Sequence, residues 1–108
     1  GEQDATTTVA APDSATHQAY LQAMYDCITG FSGYATVPMV IGRIRDQDPA
    51  MNATAKAAVR AGQAAFVAAN PGCVLVDTDS FPLQADNVHY TGAGMKSLGT
   101  AFYNAVTW

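Results

Sequence analysis

At 108 residues, with 49% hydrophobic and 13% charged side chains, the chain has the make-up of one small domain with a filled interior, not of a disordered or fibrous polypeptide. The formal charge is −4 and the five basic residues, Arg43, Arg45, Lys56, Arg60 and Lys96, form no run, so a nucleic-acid backbone finds no counter-charge here and is not expected as a partner. No apolar stretch approaches the roughly 20 residues of a membrane span, so no membrane partner is expected either.

Cys27 and Cys73 form no Cys-x-x-Cys, and the two histidines, His17 and His89, are not clustered. That pattern argues against a structural zinc site, and the apolar surroundings of both cysteines read as buried free thiols. The opening GEQDATTT has no methionine, basic region or hydrophobic run, so it reads as neither an untouched translation start nor a signal peptide.

In chain order, ATTTVAAPD reads as a loop leading to a helix cap at Asp13 or Ser14. Tyr20, Leu21, Met24 and Ile28 then fall at helical spacing and predict a helix over 15–28 with one apolar stripe, ended by Thr29-Gly30. His17 lies one turn before Leu21 and is expected as a partly buried packing residue. Residues 36–41, TVPMVI, read as a strand covered on both faces, although Pro38 prefers a strand start or an edge. After the polar loop RIRDQDPA, the alanine-rich stretch 51–69 predicts a long helix with Val59, Gly62, Phe66 and Ala69 on one small-residue contact face. Asn70-Pro71-Gly72 ends it. Residues 73–76 give a second buried strand, whose carboxyl end delivers Asp77 and Asp79. Thr91 is placed to cap a last helix running to about 106, with Met95, Leu98, Phe102, Ala105 and Val106 inside. Gly92, Gly94 and Gly99 in that helix cost about 1 kcal/mol each relative to alanine, which points to close backbone packing.

The order helix, strand, helix, strand, helix describes one α/β unit over residues 1–108 with parallel strands. Two such strands leave open edges and faces. Further strands are therefore expected from a missing N-terminal portion, a second chain or another copy.

His89 stands in the loop after the last strand, and ligands of open α/β sheets bind at the carboxyl ends of strands. Asp86, three residues earlier, can orient the imidazole through one ring nitrogen and leave the other to take a proton from a nucleophile. An ordinary loop hydrogen bond explains the same spacing. Asp77 and Asp79 could bind a divalent cation, but aspartates at strand ends more often accept backbone hydrogen bonds in turns. No metal or cofactor is expected.

DNVHYTGAGMKSLGTAFYNAV, from Asp86 onward, resembles the last block of SGNH (GDSL-type) hydrolases, where Asp-x-x-His and a Thr or Ser open the terminal helix. GEQDA at the start is similar to the third block of the carbohydrate-esterase, sialic-acid-specific acetylesterase branch, which reads close to Gly-Glu-Ser-Asp-Ala. The resemblance covers this whole chain but only the C-terminal half of the usual domain. It implies a three-layer flavodoxin-like fold, here with about two parallel strands and three helices, and a metal-free serine esterase acting on acetylated carbohydrates. By position His89 would be the general base and Asp86 its orienting carboxylate, with Gly1 and Glu2 at the edge of the substrate site. The family's oxyanion-hole glutamine would precede Gly1.

The family's nucleophile lies on a Gly-x-Ser block upstream of anything in this sequence. Of the serines here, Ser14 fits a helix cap, Ser97 lies within the last helix, and Ser32 and Ser80 sit in loops. Ser32, in GFSGY, has flanking glycines but no strand-to-helix elbow and reads as a turn. The expected partner is thus a segment or chain that carries the serine. A non-catalytic sugar-binding or assembly module that keeps the fold, and an unrelated α/β protein with a coincidental Asp-x-x-His, remain the alternatives.

Overall fold

The computed structural model describes residues 5–6, 13–31, 37–49 and 51–106. Among them are three helices, α1 (Ser14–Thr29), α2 (Ala53–Ala69) and α3 (Gly92–Ala105), and two strands, β1 (Val40–Gly42) and β2 (Val74–Val76). The strands pair in parallel with Val40 opposite Val74, Ile41 opposite Leu75 and Gly42 opposite Val76. The expected α/β class, strand direction and element order are all present.

Side-chain caps set the helix starts. Asp13 accepts from the Thr16 N–H at 2.7 Å, Asn52 from Thr54 and Ala55 at 3.0 and 3.1 Å, and Thr91 from Gly94 at 3.0 Å, each satisfying a donor that the first turn leaves over. At the other end of α2, Asn70 is the cap residue, and Gly72, at φ 92°, makes the left-handed turn into β2.

Helix α1 packs differently from its expected stripe. Tyr20, Met24 and Ile28 are exposed, while His17 is 4% exposed and Leu21 and Tyr25 pack on the core formed by Ile41, Phe66 and Cys73. The cause is Gly62. A side chain there would stand 2.7 Å from the Ser14 carbonyl oxygen and 3.0 Å from the His17 Cβ, so its absence lets α1 approach α2 along the row of Ser14, His17 and Leu21. That row turns inward and carries Tyr20 and Met24 out. The small-residue face of α2 is the surface α1 uses, with Val59 and Phe66 fully buried; Ala69, at the end of the helix, is exposed. Phe66 meets Tyr25 edge to face with ring centroids 5.7 Å apart, and removing its ring to Ala is worth about 3–5 kcal/mol.

Strand β1 begins two residues after Pro38, later than the stretch TVPMVI suggests. Proline has no N–H for the ladder, and the first backbone bond across the pair is Val74 N–H to the Met39 carbonyl at 2.9 Å. Alternation puts Ile41 on the face covered by Phe66 and Gly42 on the opposite face, where a Cβ would lie 3.3 Å from the Phe102 ring of α3. Helices therefore cover both faces of the sheet.

In α3, Met95 is exposed and Leu98 and Phe102 are half-buried. The expected glycine packing holds at one position of three. A Cβ on Gly94 would meet the Pro82 carbonyl oxygen at 2.1 Å, while Gly92 and Gly99 face open space. Of the cysteines, Cys73 is buried and Cys27 is exposed, both as free thiols; Cys27 sits on the outward side of α1, which the rotation of that helix explains. No described helix is long and apolar enough to cross a membrane.

Candidate active site

Beyond β2 the chain folds into a tight hairpin from Pro82 to Thr91. Leu83 and Tyr90 bridge antiparallel, Gln84 N–H donates to the His89 carbonyl at 2.8 Å, and Thr91 N–H donates to the Pro82 carbonyl at 3.1 Å. The bare Gly94 Cα lets the Pro82 end of the hairpin rest directly on the first turn of α3. At the tip Asn87 takes φ 58°, the left-handed region that Asn tolerates better than most residues.

That turn closes a small network on Asp86. Its Oδ1 accepts the backbone N–H groups of Val88 and His89 at 2.9 and 3.0 Å, and its Oδ2 lies 2.8 Å from Nδ1 of His89. The hydrogen bond from the imidazole, helped by those two N–H groups, holds the Asp86 carboxyl down to about 2. In return the carboxylate raises the His89 pKa above its ordinary value. With the carboxyl ionised, Nδ1 must carry the proton, so the neutral ring presents a lone pair at Nε2. The imidazole is 73% exposed and the carboxylate 45%. Among the described residues nothing bonds to Nε2, and no serine hydroxyl hydrogen-bonds to the ring. The geometry suits accepting a proton from a group that approaches through solvent.

Asp77 and Asp79 serve another purpose. Arg60 grips both oxygens of Asp79, Nη1 to Oδ1 at 3.0 Å and Nη2 to Oδ2 at 2.9 Å. Arg43 Nη2 reaches Asp79 Oδ2 at 2.9 Å and Asp77 Oδ1 at 2.6 Å, and the Asp46 N–H donates to Asp79 at 2.8 Å. The Arg60 guanidinium holds the Asp79 carboxyl well below the usual carboxylate range. Asp77 also accepts the Asp79 N–H at 3.0 Å, the turn role expected of a strand-end aspartate. Among the described residues no group of three His, Cys, Asp or Glu side chains could hold a metal ion.

This cluster fixes the segment leaving β1 against the segment leaving β2. Gln63 adds to it from α2, donating to the Gly42 carbonyl and accepting the Ile44 N–H, both at 3.1 Å. A cleft of about 340 Å³ opens there, lined in part by Arg43, Gln63, Thr78, Tyr90, Leu98 and Phe102. Tyr90, the residue after His89, is thus a wall of that cleft.

A family model described as carbohydrate esterase, sialic acid-specific acetylesterase, matches residues 1–107. The chain belongs to this family. Comparison with curated proteins and with solved structures gave no match. The chain's α/β architecture, with parallel strands and helices on both faces, is consistent with the SGNH-type fold that the sequence blocks imply.

Of the four site residues expected from sequence, the structure joins Asp86 and His89 by a direct hydrogen bond. Gly1 and Glu2 lie outside the described residues, as does Ser32. Two features escaped the sequence reading. RIRDQDPA reads as a polar loop, yet Arg45 is 6% exposed and Arg43 and Arg60 clasp Asp79. The available signal was that arginines immediately following a buried strand have aspartates at the end of the neighbouring strand within reach.

Proposed function

We propose that Asp86 and His89 form the acid–base pair of a serine acetylesterase that removes O-acetyl groups from sialic-acid-type carbohydrates. The nucleophilic serine comes from a segment or chain outside these 108 residues, and Gly1 and Glu2 border the substrate. One observation carries the reading: a 2.8 Å carboxylate–imidazole bond that leaves Nε2 open to solvent. Membership of an acetylesterase family supports the substrate class.

In this reading Nε2 takes the proton of the serine hydroxyl as its oxygen attacks the acetyl carbonyl. The imidazolium, stabilised by Asp86, then returns a proton to the departing sugar hydroxyl, leaving an acetyl-serine. Water repeats the sequence: it gives its proton to Nε2, attacks the acetyl carbonyl and releases acetate. The exposure of the pair fits this arrangement, because a serine arriving from elsewhere needs an uncovered imidazole to meet.

The test is release of acetate from O-acetylated sialic acid by the natural protein and by His89→Ala. Loss of about 10⁶-fold in kcat is expected when a triad histidine is removed. Turnover unchanged by that substitution would refute the mechanism. Tight sugar binding with no turnover in the parent would instead favour a non-catalytic module.

A further inference from the structure

An exposed carboxylate–imidazole pair holds its geometry weakly unless the backbone beneath it is fixed. Here one buried cation reaches that backbone. Arg45, 6% exposed, donates from Nη1 to the carbonyl oxygen of Asn87 at 3.3 Å. Its guanidinium carbon also stands 5.7 Å from the centroid of the Tyr90 ring. The two contacts bracket His89 in sequence.

A trans peptide is planar, and its C=O and N–H point in opposite directions. The Asn87 carbonyl and the Val88 N–H belong to one such peptide. Turning the carbonyl toward Arg45 therefore aims the N–H at Asp86, whose Oδ1 accepts it at 2.9 Å. The His89 N–H joins the same oxygen at 3.0 Å, which leaves Oδ2 for the imidazole. The peptide needs a hold because Asn87, at φ 58°, sits in a region that costs an L-residue energy. A guanidinium remains charged at every pH at which a histidine titrates, so the hold does not loosen as His89 changes state.

We propose that Arg45 is a positioning residue for the Asp86–His89 pair: it fixes the Asn87–Val88 peptide and, through it, the carboxylate that orients the imidazole. The role rests on the reading of this pair as the acid–base couple. Tyr90 shares in it by packing under the guanidinium, a contact that Lys reproduces poorly because it lacks the flat face of Arg.

The experiment compares Arg45→Met and Arg45→Lys with the parent in the natural protein, by acetyl-ester kinetics and by NMR titration of the His89 ring. For Arg45→Met we expect kcat lower by about 10- to 100-fold at little-changed KM, with the His89 midpoint moved down toward the ordinary value of about 6.5. Arg45→Lys keeps a donor for the Asn87 carbonyl and should recover part of both effects. If Arg45→Met does not fold, the Lys variant carries the same two readouts. A folded variant with parental kcat and an unmoved His89 midpoint overturns the proposal, as does a lower melting temperature with the midpoint in place. No hydrolysis by the parent would sink the esterase reading alone, because the titration uses no substrate and still judges Arg45.

Discussion

Two aspartates near the carboxyl end of the sheet are each paired with a cation, and the pairs are built in opposite ways. Asp79 is 22% exposed and receives two arginines and a backbone N–H, so both of its oxygens are engaged. Asp86 lies in an exposed hairpin, and its partner is a histidine with one ring nitrogen left over. The first arrangement ties two segments together and has no remaining valence for chemistry. The second ties almost nothing together, yet it leaves Nε2 of an oriented imidazole open to take a proton. Charge alone does not separate the two carboxylates; the partner's unused ring nitrogen does.

Substitutions should separate the two sites cleanly. Asp86→Asn, which removes the ionised acceptor of Nδ1–H, is expected to cost about 10⁴-fold in kcat with the melting temperature nearly unchanged, read by acetate release and calorimetry. Asp79→Ala should do the reverse. It leaves Arg60 without its carboxylate in a half-buried setting, and Arg43 with Asp77 alone, and should lower stability by about 2–4 kcal/mol, while folded protein keeps its kcat. If Asp79→Ala abolished turnover without loss of stability, the distinction between the two regions would fail.

Gly94→Ala probes the hinge between hairpin and helix. A methyl group 2.1 Å from the Pro82 oxygen must push the hairpin off α3, at a cost of about 1–3 kcal/mol by overpacking. Denaturant unfolding should show that loss, and the His89 ring resonances should shift with the displaced loop. Gly99→Ala, facing open space, should instead leave the protein as stable as before or slightly more so.

The pH dependence is a finer measure. Because Asp86 raises the His89 pKa, the folded state holds the imidazole proton more tightly than the unfolded chain does. The pair therefore stabilises the fold fully below the ordinary histidine value, and that contribution is lost as pH rises through the folded one. In the proposed mechanism catalysis runs the other way, since His89 must be neutral to act as base: the acid limb of the kcat profile should have its midpoint above about 6.5 and move down in Asp86→Asn. For the carboxylate itself, held to about 2, the stabilising contribution is present above its unfolded value and fades as pH falls toward 2.

Much of this molecule is legible in its sequence because the signals are local. Asp13, Thr91 and the Asn70-Pro71-Gly72 stop are single-residue consequences of helix ends, and the Asp-x-x-His spacing closes within one hairpin. The rotation of α1 is not local. It follows from the missing side chain at Gly62, 45 residues after His17, and turns Tyr20, Met24 and Ile28 outward against their own helical pattern. Arg45 was hidden for the same reason: its partners, Asn87 and Tyr90, lie more than 40 residues on, and no spacing rule links a polar loop to a distant turn.

In the proposed mechanism His89 serves a serine lying outside these 108 residues. That serine can be found by labelling the natural protein with a serine-reactive fluorophosphonate and mapping the modified residue by mass spectrometry. The expected result is one labelled serine outside residues 1–108, with labelling suppressed in His89→Ala. Modification of Ser14, Ser32, Ser80 or Ser97, or labelling that persists unchanged without the imidazole, would contradict it.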